Sequence, residues 1–139
     1  MSQTMTFNLQ ANRTDDSGSV VTAKQTSLVI DTSQASRPDA LNPVELLLAA
    51  LAACIIKGID RVADTLAIHF DSVLVELIAH RPIDEARIDD ISYKVLLGTN
   101  ADQNKLDLLH KNIMKFGTIY NTVKQGTNLS GQVLAAKPN

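Results

Sequence analysis

The sequence predicts an α+β fold, built as one domain over residues 1–139. Three observations carry this expectation. Stretches with strand character run as three strands, a helix, two strands, a helix and a last strand, so strands and helices segregate rather than alternate strictly. An uninterrupted apolar run, Leu46 to Ile56, surrounds the axis of one predicted helix. The composition is that of an ordinary globular chain, with 45% hydrophobic and 20% charged residues. A chain of 139 residues is one domain's worth of sequence, and at this size about 68% of the unfolded surface can be buried.

The elements follow in order. Residues 4–11 (TMTFNLQA) alternate weakly and suggest a strand, and residues 12–18 (NRTDDSG) carry turn chemistry. Short strands fit Ser19–Ala23 and Ser27–Asp31, followed by a polar loop, TSQASRPDALN. Asn42 is a good N-cap, Pro43 suits the first helical position, and Glu45 lies in the first turn, where negative charge complements the helix dipole. The apolar run then calls for cover on every side. Few elements of so short a chain are available to give it, which points to a second copy as part of the cover. Residues 72–81 and 88–97 read as an antiparallel pair joined by an irregular connector. Thr99–Lys115 has helical spacing, with Thr99 and Asp102 as a capping arrangement and Gly117 as a terminator. A short helix at Thr118–Lys124 and a last strand at Asn128–Leu134 complete the pattern.

Several function classes are set aside by composition. The formal net charge of -2 offers no basic balance for nucleic acid or an anionic membrane. Trp is absent and only three Phe and two Tyr occur, a poor supply for base stacking. One cysteine cannot form an intramolecular disulfide, which fits a reducing compartment. The start, MSQTMTFNLQANR, lacks the pattern of a signal peptide, and the apolar run is too short to cross a bilayer, which needs about 20 residues. A cytoplasmic setting is expected. His69, His80 and His110 show no paired metal spacing, and the glycines form no phosphate loop. No metal and no cofactor are expected.

Cys54 is the most reactive side chain available. Its local sequence favours a small buried hydrophobe, and a functional role would need a cation beside it. On a helix, Lys57 lies one turn away and Arg61 about 10 Å further along the axis. Both read as a solvated helix face. Glu45 stands nine residues before Cys54, about 13.5 Å along the axis and on the opposite side. It reaches the sulfur only through another element or another subunit.

The string NPVELLLAALAAC at Asn42–Cys54 resembles the signature of the OsmC/Ohr family, the osmotically inducible and organic-hydroperoxide-resistance proteins. Downstream, RPID, KNIMKFG and TIYNTV follow in the family's order. The resemblance implies an intertwined homodimer in which curved antiparallel sheets wrap central helices. It also implies reduction of organic hydroperoxides by a peroxidatic thiolate, at a site on the subunit interface. An arginine stabilises that thiolate, a glutamate orients the arginine, and a second cysteine resolves the oxidised sulfur. Carried onto this chain, Cys54 matches the peroxidatic position. Arg13 is the best match for the arginine and Arg37 the spare. Glu45 matches the acid of a broader OsmC-like branch, because Val44 follows Asn-Pro where the hydroperoxide-resistance branch has the acid. The second cysteine is replaced by Gly117, 63 residues after Cys54. Two readings stay open. One is a one-cysteine peroxidase in oxidative-stress defence, recycled by an external thiol or dithiol reductant. The other is a non-catalytic dimer that binds a small apolar ligand or partner at the subunit interface.

Overall fold

The computed structural model describes residues 3–127 and 129–135. Strands β1 (Gln10–Asp15), β2 (Gly18–Ala23) and β3 (Thr26–Ile30) form an antiparallel sheet in that order. The first turn is held by Asp15, whose Oδ1 accepts from Ser17 N at 2.8 Å and from Ser17 Oγ at 2.6 Å. These bonds keep the Asp15 carboxyl below its ordinary range. The turn places β1 further along the chain than its alternation suggests. Residues 3–9 lie outside any strand, and pairing runs from Gln10↔Thr22 to Asp15↔Gly18 with an irregularity between Arg13 and Asp15. The physical reason is that a tight hairpin fixes register from the turn outward, so the polar stretch NRTD pairs although it reads as turn chemistry. Between β2 and β3 the chain turns through Lys24, which takes a left-handed φ of 55°.

The loop after β3 is organised by buried Asp31. Its carboxylate accepts from Ser33 Oγ (2.5 Å), Ser33 N (2.9 Å) and Arg37 N (3.2 Å), and its own N–H donates to Leu41 O at 2.9 Å. The Ser33 hydroxyl and N–H, helped by Arg37, hold this carboxyl below its usual range.

Helix α1 (Pro43–Val62) starts with a reciprocal capping pair: Asn42 Oδ1 accepts from Glu45 N and Glu45 Oε1 accepts from Asn42 N, each at 2.9 Å. The chain ends this helix without glycine. Ile68 N donates to Ala63 O at 2.9 Å and Ala67 N to Asp64 O at 3.0 Å, with Ala67 at φ 55°. That is the Schellman arrangement, with alanine where glycine is usual. Buried Ala63 and Ile68 supply its apolar contact.

Strands β4 (Phe70–His80) and β5 (Asp90–Thr99) pair as a two-stranded sheet. Helix α2 (Gln103–Phe116) is capped by Asp102 alone, whose Oδ1 accepts from Lys105 N at 3.0 Å. The expected partner, Thr99, belongs to the end of β5 instead and donates its hydroxyl to His69 O at 2.5 Å. Gly117 ends α2 and directly precedes α3 (Thr118–Gln125). The expected last strand is not formed. Residues 129–134 carry no strand, and Asn128 lies outside the described residues. A lone terminal segment gains strand character only by pairing, and nothing in the described chain pairs with it.

Two compact units are distinguished: Met1–Ala50 with Leu77–Ser92, and Leu51–Glu76 with Tyr93–Asn139. In the second, Leu51, Ile55, Ile59 and Ala63 of α1 and the turn after it form one buried stripe at four-residue spacing. Leu109 and Ile113 of α2 are buried with them. A Cβ at Gly58 would stand 3.3 Å from Ile113 Cγ1, so the glycine permits the close approach of α1 to α2. Burial of α1 is one-sided rather than complete: Leu47 and Ile56 remain 36% and 38% exposed.

Candidate functional site

Cys54 sits on α1 between buried Leu51 and Ile55 and is itself half-buried. It lies against Gly117. A Cβ built there would stand 3.1 Å from Cys54 Sγ, 3.1 Å from Tyr120 Cβ and 2.7 Å from Ile113 O. A side chain at 117 would require the Ile113 carbonyl to shift. Gly117 is also the N-cap of α3 and supplies no side-chain capping bond. The first-turn N–H groups of α3 therefore gain no side-chain partner from their N-cap.

The other three expected site residues belong to the first unit. Glu45 lies in the first turn of α1, with Oε1 engaged by Asn42 N. This is the dipole and capping role its position suggests, and it leaves Oε2 outside that bond. Arg37 is committed. Its Nε and Nη2 grip Asp39 at 2.7 and 2.9 Å, and Nη1 donates to Ser17 O at 3.2 Å. The guanidinium holds the Asp39 carboxyl below its usual range. Arg13 stands exposed on β1, and its charge contributes to the lowering at Asp15. Of the two arginines, Arg13 has the freer guanidinium.

Lys57 is exposed, and Arg61 packs its guanidinium 6.0 Å from the centre of the Phe116 ring, which Lys115 also approaches at 5.2 Å. Neither is shown serving the sulfur. Among the described residues no group of three or more His, Cys, Asp or Glu side chains is placed to hold a metal ion, and no helix is long and apolar enough to cross a membrane.

One cluster is not foreshadowed by any motif. Tyr93 on β5 hydrogen-bonds His110 Nε2 on α2 at 2.6 Å, and its ring meets Tyr120 of α3 edge-on at 6.4 Å. Burial, and then the neighbouring Tyr120, push the Tyr93 hydroxyl above its ordinary range. The alternation of Tyr93, Val95 and Leu97 on β5 is the only sequence signal that could have shown which face meets α2.

The family model described as OsmC-like protein matches residues 33–130, which include Glu45, Cys54 and Gly117. A comparison with curated protein sequences finds no match. Among solved structures, an OsmC-like protein from Mycoplasma pneumoniae superposes with a TM-score of 0.79 at 18% identity, covering 89% of this chain and 90% of that one. An organic hydroperoxide resistance protein OsmC from Legionella pneumophila gives a TM-score of 0.64 at 17% identity, covering 88% and 92%. The organic hydroperoxide resistance protein OhrB of Bacillus subtilis gives 0.59 at 19% identity, covering 88% and 93%. At these identities the likeness is one of fold. With a mixed architecture of three helices and antiparallel strands, and a family match over most of its length, the chain belongs to the OsmC-like protein family.

Proposed function

We propose that this protein is a one-cysteine thiol peroxidase that reduces organic hydroperoxides. The carrying observation is that the family match contains a half-buried Cys54 whose sulfur stands beside the uncapped start of α3. The Cys54 thiolate attacks the outer peroxide oxygen, the O–O bond breaks, and the alcohol leaves with a proton. The sulfur is left as sulfenic acid. An external thiol then displaces water to form a mixed disulfide, and a second thiol equivalent releases reduced Cys54 and a disulfide of the reductant. A protein dithiol would supply both equivalents. Arg13 of a second copy is the proposed stabiliser of the thiolate. Arg37 would first have to leave Asp39. Glu45 is the proposed orienting acid, through the oxygen not bonded to Asn42.

To test this reading, the reduced protein is mixed with one equivalent of cumene hydroperoxide and followed by mass spectrometry. Cys54 gains one oxygen within seconds, and the Cys54→Ser variant gains none. A thiol still unmodified after minutes would overturn the assignment. The second reading, a non-catalytic dimer binding a small apolar ligand or partner at the subunit interface, is favoured by Gly117, since the chain lacks a resolving cysteine of its own. On that reading Cys54→Ser leaves cellular function intact.

A further inference from the structure

A cavity of about 310 Å3 lies between β5 and α2, within the second unit. Its apolar lining includes Val95 and Leu97 from alternate positions of the strand and Leu106 from the helix. Tyr93, Asp107 and His110 contribute the polar groups, together with Gln103. A cavity of about 150 Å3 with an aliphatic lining holds one benzene, so this one suits an apolar body of about ten heavy atoms.

The polar groups decide what head such a body must carry. Tyr93 keeps its proton at neutral pH because burial and Tyr120 oppose its ionisation. Its hydroxyl shares a hydrogen bond with His110 Nε2 at 2.6 Å. These two groups satisfy one another. Gln103 Nε2 donates to Asp107 Oδ1 at 2.9 Å, which leaves Oδ2 as the acceptor not used within the described residues. Asp107 is the one carboxylate of the lining, and no lysine or arginine joins it there. An anionic head would meet uncompensated repulsion, whereas a donor with positive charge would form a charge-assisted hydrogen bond.

We propose that the β5–α2 cavity is a binding site for a small primary amine on a compact apolar body, with its ammonium on Asp107 and its body against Val95, Leu97 and Leu106. The site uses neither Cys54 nor a second copy of the chain, so it stands apart from the peroxidase reading.

Three probes share one body and differ in the head: 2-phenylethylamine, 2-phenylethanol and phenylacetate. Each is titrated into the full, 15N-labelled chain at neutral pH, with amide shifts and calorimetry as readouts. The amine shifts the amides of Val95, Leu97 and Leu106 saturably and binds at least tenfold more tightly than phenylacetate. Asp107→Asn, an exposed substitution, brings the amine to the affinity of the alcohol. Leu106→Trp fills the cavity and abolishes binding of all three. The proposal is overturned if phenylacetate binds as tightly as the amine, if the shifts fall elsewhere or are absent, or if Asp107→Asn keeps the preference. The Asp107→Asn arm decides the matter should Leu106→Trp fail to fold.

Discussion

A Cβ at position 117 would stand 3.1 Å from the sulfur of Cys54. Across a disulfide, a Cβ and the opposite sulfur lie about 3 Å apart, given an S–S bond of about 2.04 Å. The glycine therefore occupies the spot from which a second cysteine could reach the first. Gly117→Cys should convert the oxidised product. After one equivalent of cumene hydroperoxide, the oxygen adduct on Cys54 gives way to an intramolecular disulfide, read by mass spectrometry as a chain about 2 Da lighter than the reduced form. The strain from Ile113 O at 2.7 Å costs about 1–3 kcal/mol in both Gly117→Cys and its redox-silent control Gly117→Ser. Persistence of the oxygen adduct in Gly117→Cys would show that this position does not reach the sulfur. At this scale, the resemblance of two short strings pairs positions 54 and 117, and the structure sets these two positions side by side. Physical patterning alone favoured a packed thiol. The Tyr93–His110 bond was not legible, because it joins residues 17 apart on two different elements and leaves no mark on either stretch.

Helix α1 shows why its start was readable and its end was not. Asn42, Pro43 and Glu45 occupy the first-turn positions where their side chains satisfy backbone donors or lack one, and the reciprocal bonds at 2.9 Å follow. The end relies on Ala67 at φ 55°, a conformation whose usual glycine signal is missing from the sequence. Left-handed geometry costs an L-residue about 1–2 kcal/mol, and glycine offsets part of this by its larger unfolded-state entropy. Ala67→Gly is therefore expected to stabilise the protein by about 1 kcal/mol, seen as a higher urea midpoint with unchanged slope at fixed protein concentration. A lower midpoint would show that the methyl group of Ala67 contributes packing that outweighs the backbone term. The strands tell the same story as the helix end. The placements of β2 and β3 were readable from β-branched runs, whereas β1 was displaced toward a polar stretch because the Asp15–Ser17 turn, not local hydrophobicity, sets its register. The last strand expected from the sequence finds no partner at residues 129–134.

At the scale of the whole molecule, the apolar side chains left exposed are informative. Within the chain, helix α1 buries only Leu51, Ile55, Gly58 and Ile59, and Leu47 and Ile56 of its apolar run face outward. The fully apolar helix read from the sequence is thus half accounted for by one copy, and a second copy is the proposed cover for the rest. Ile56→Glu separates the alternatives. On a monomer, a charge at a position 38% exposed changes stability by no more than about 0.5 kcal/mol and leaves the mass unchanged. On an obligate dimer the same carboxylate is buried without a partner, at a cost of several kcal/mol. Sedimentation equilibrium should therefore give twice 15.0 kDa for the wild type. Its melting temperature should rise with protein concentration, and the variant should fall to a single-chain mass or unfold. A wild type that sediments as one chain would remove the second copy from the site, and with it the proposed delivery of Arg13 to Cys54.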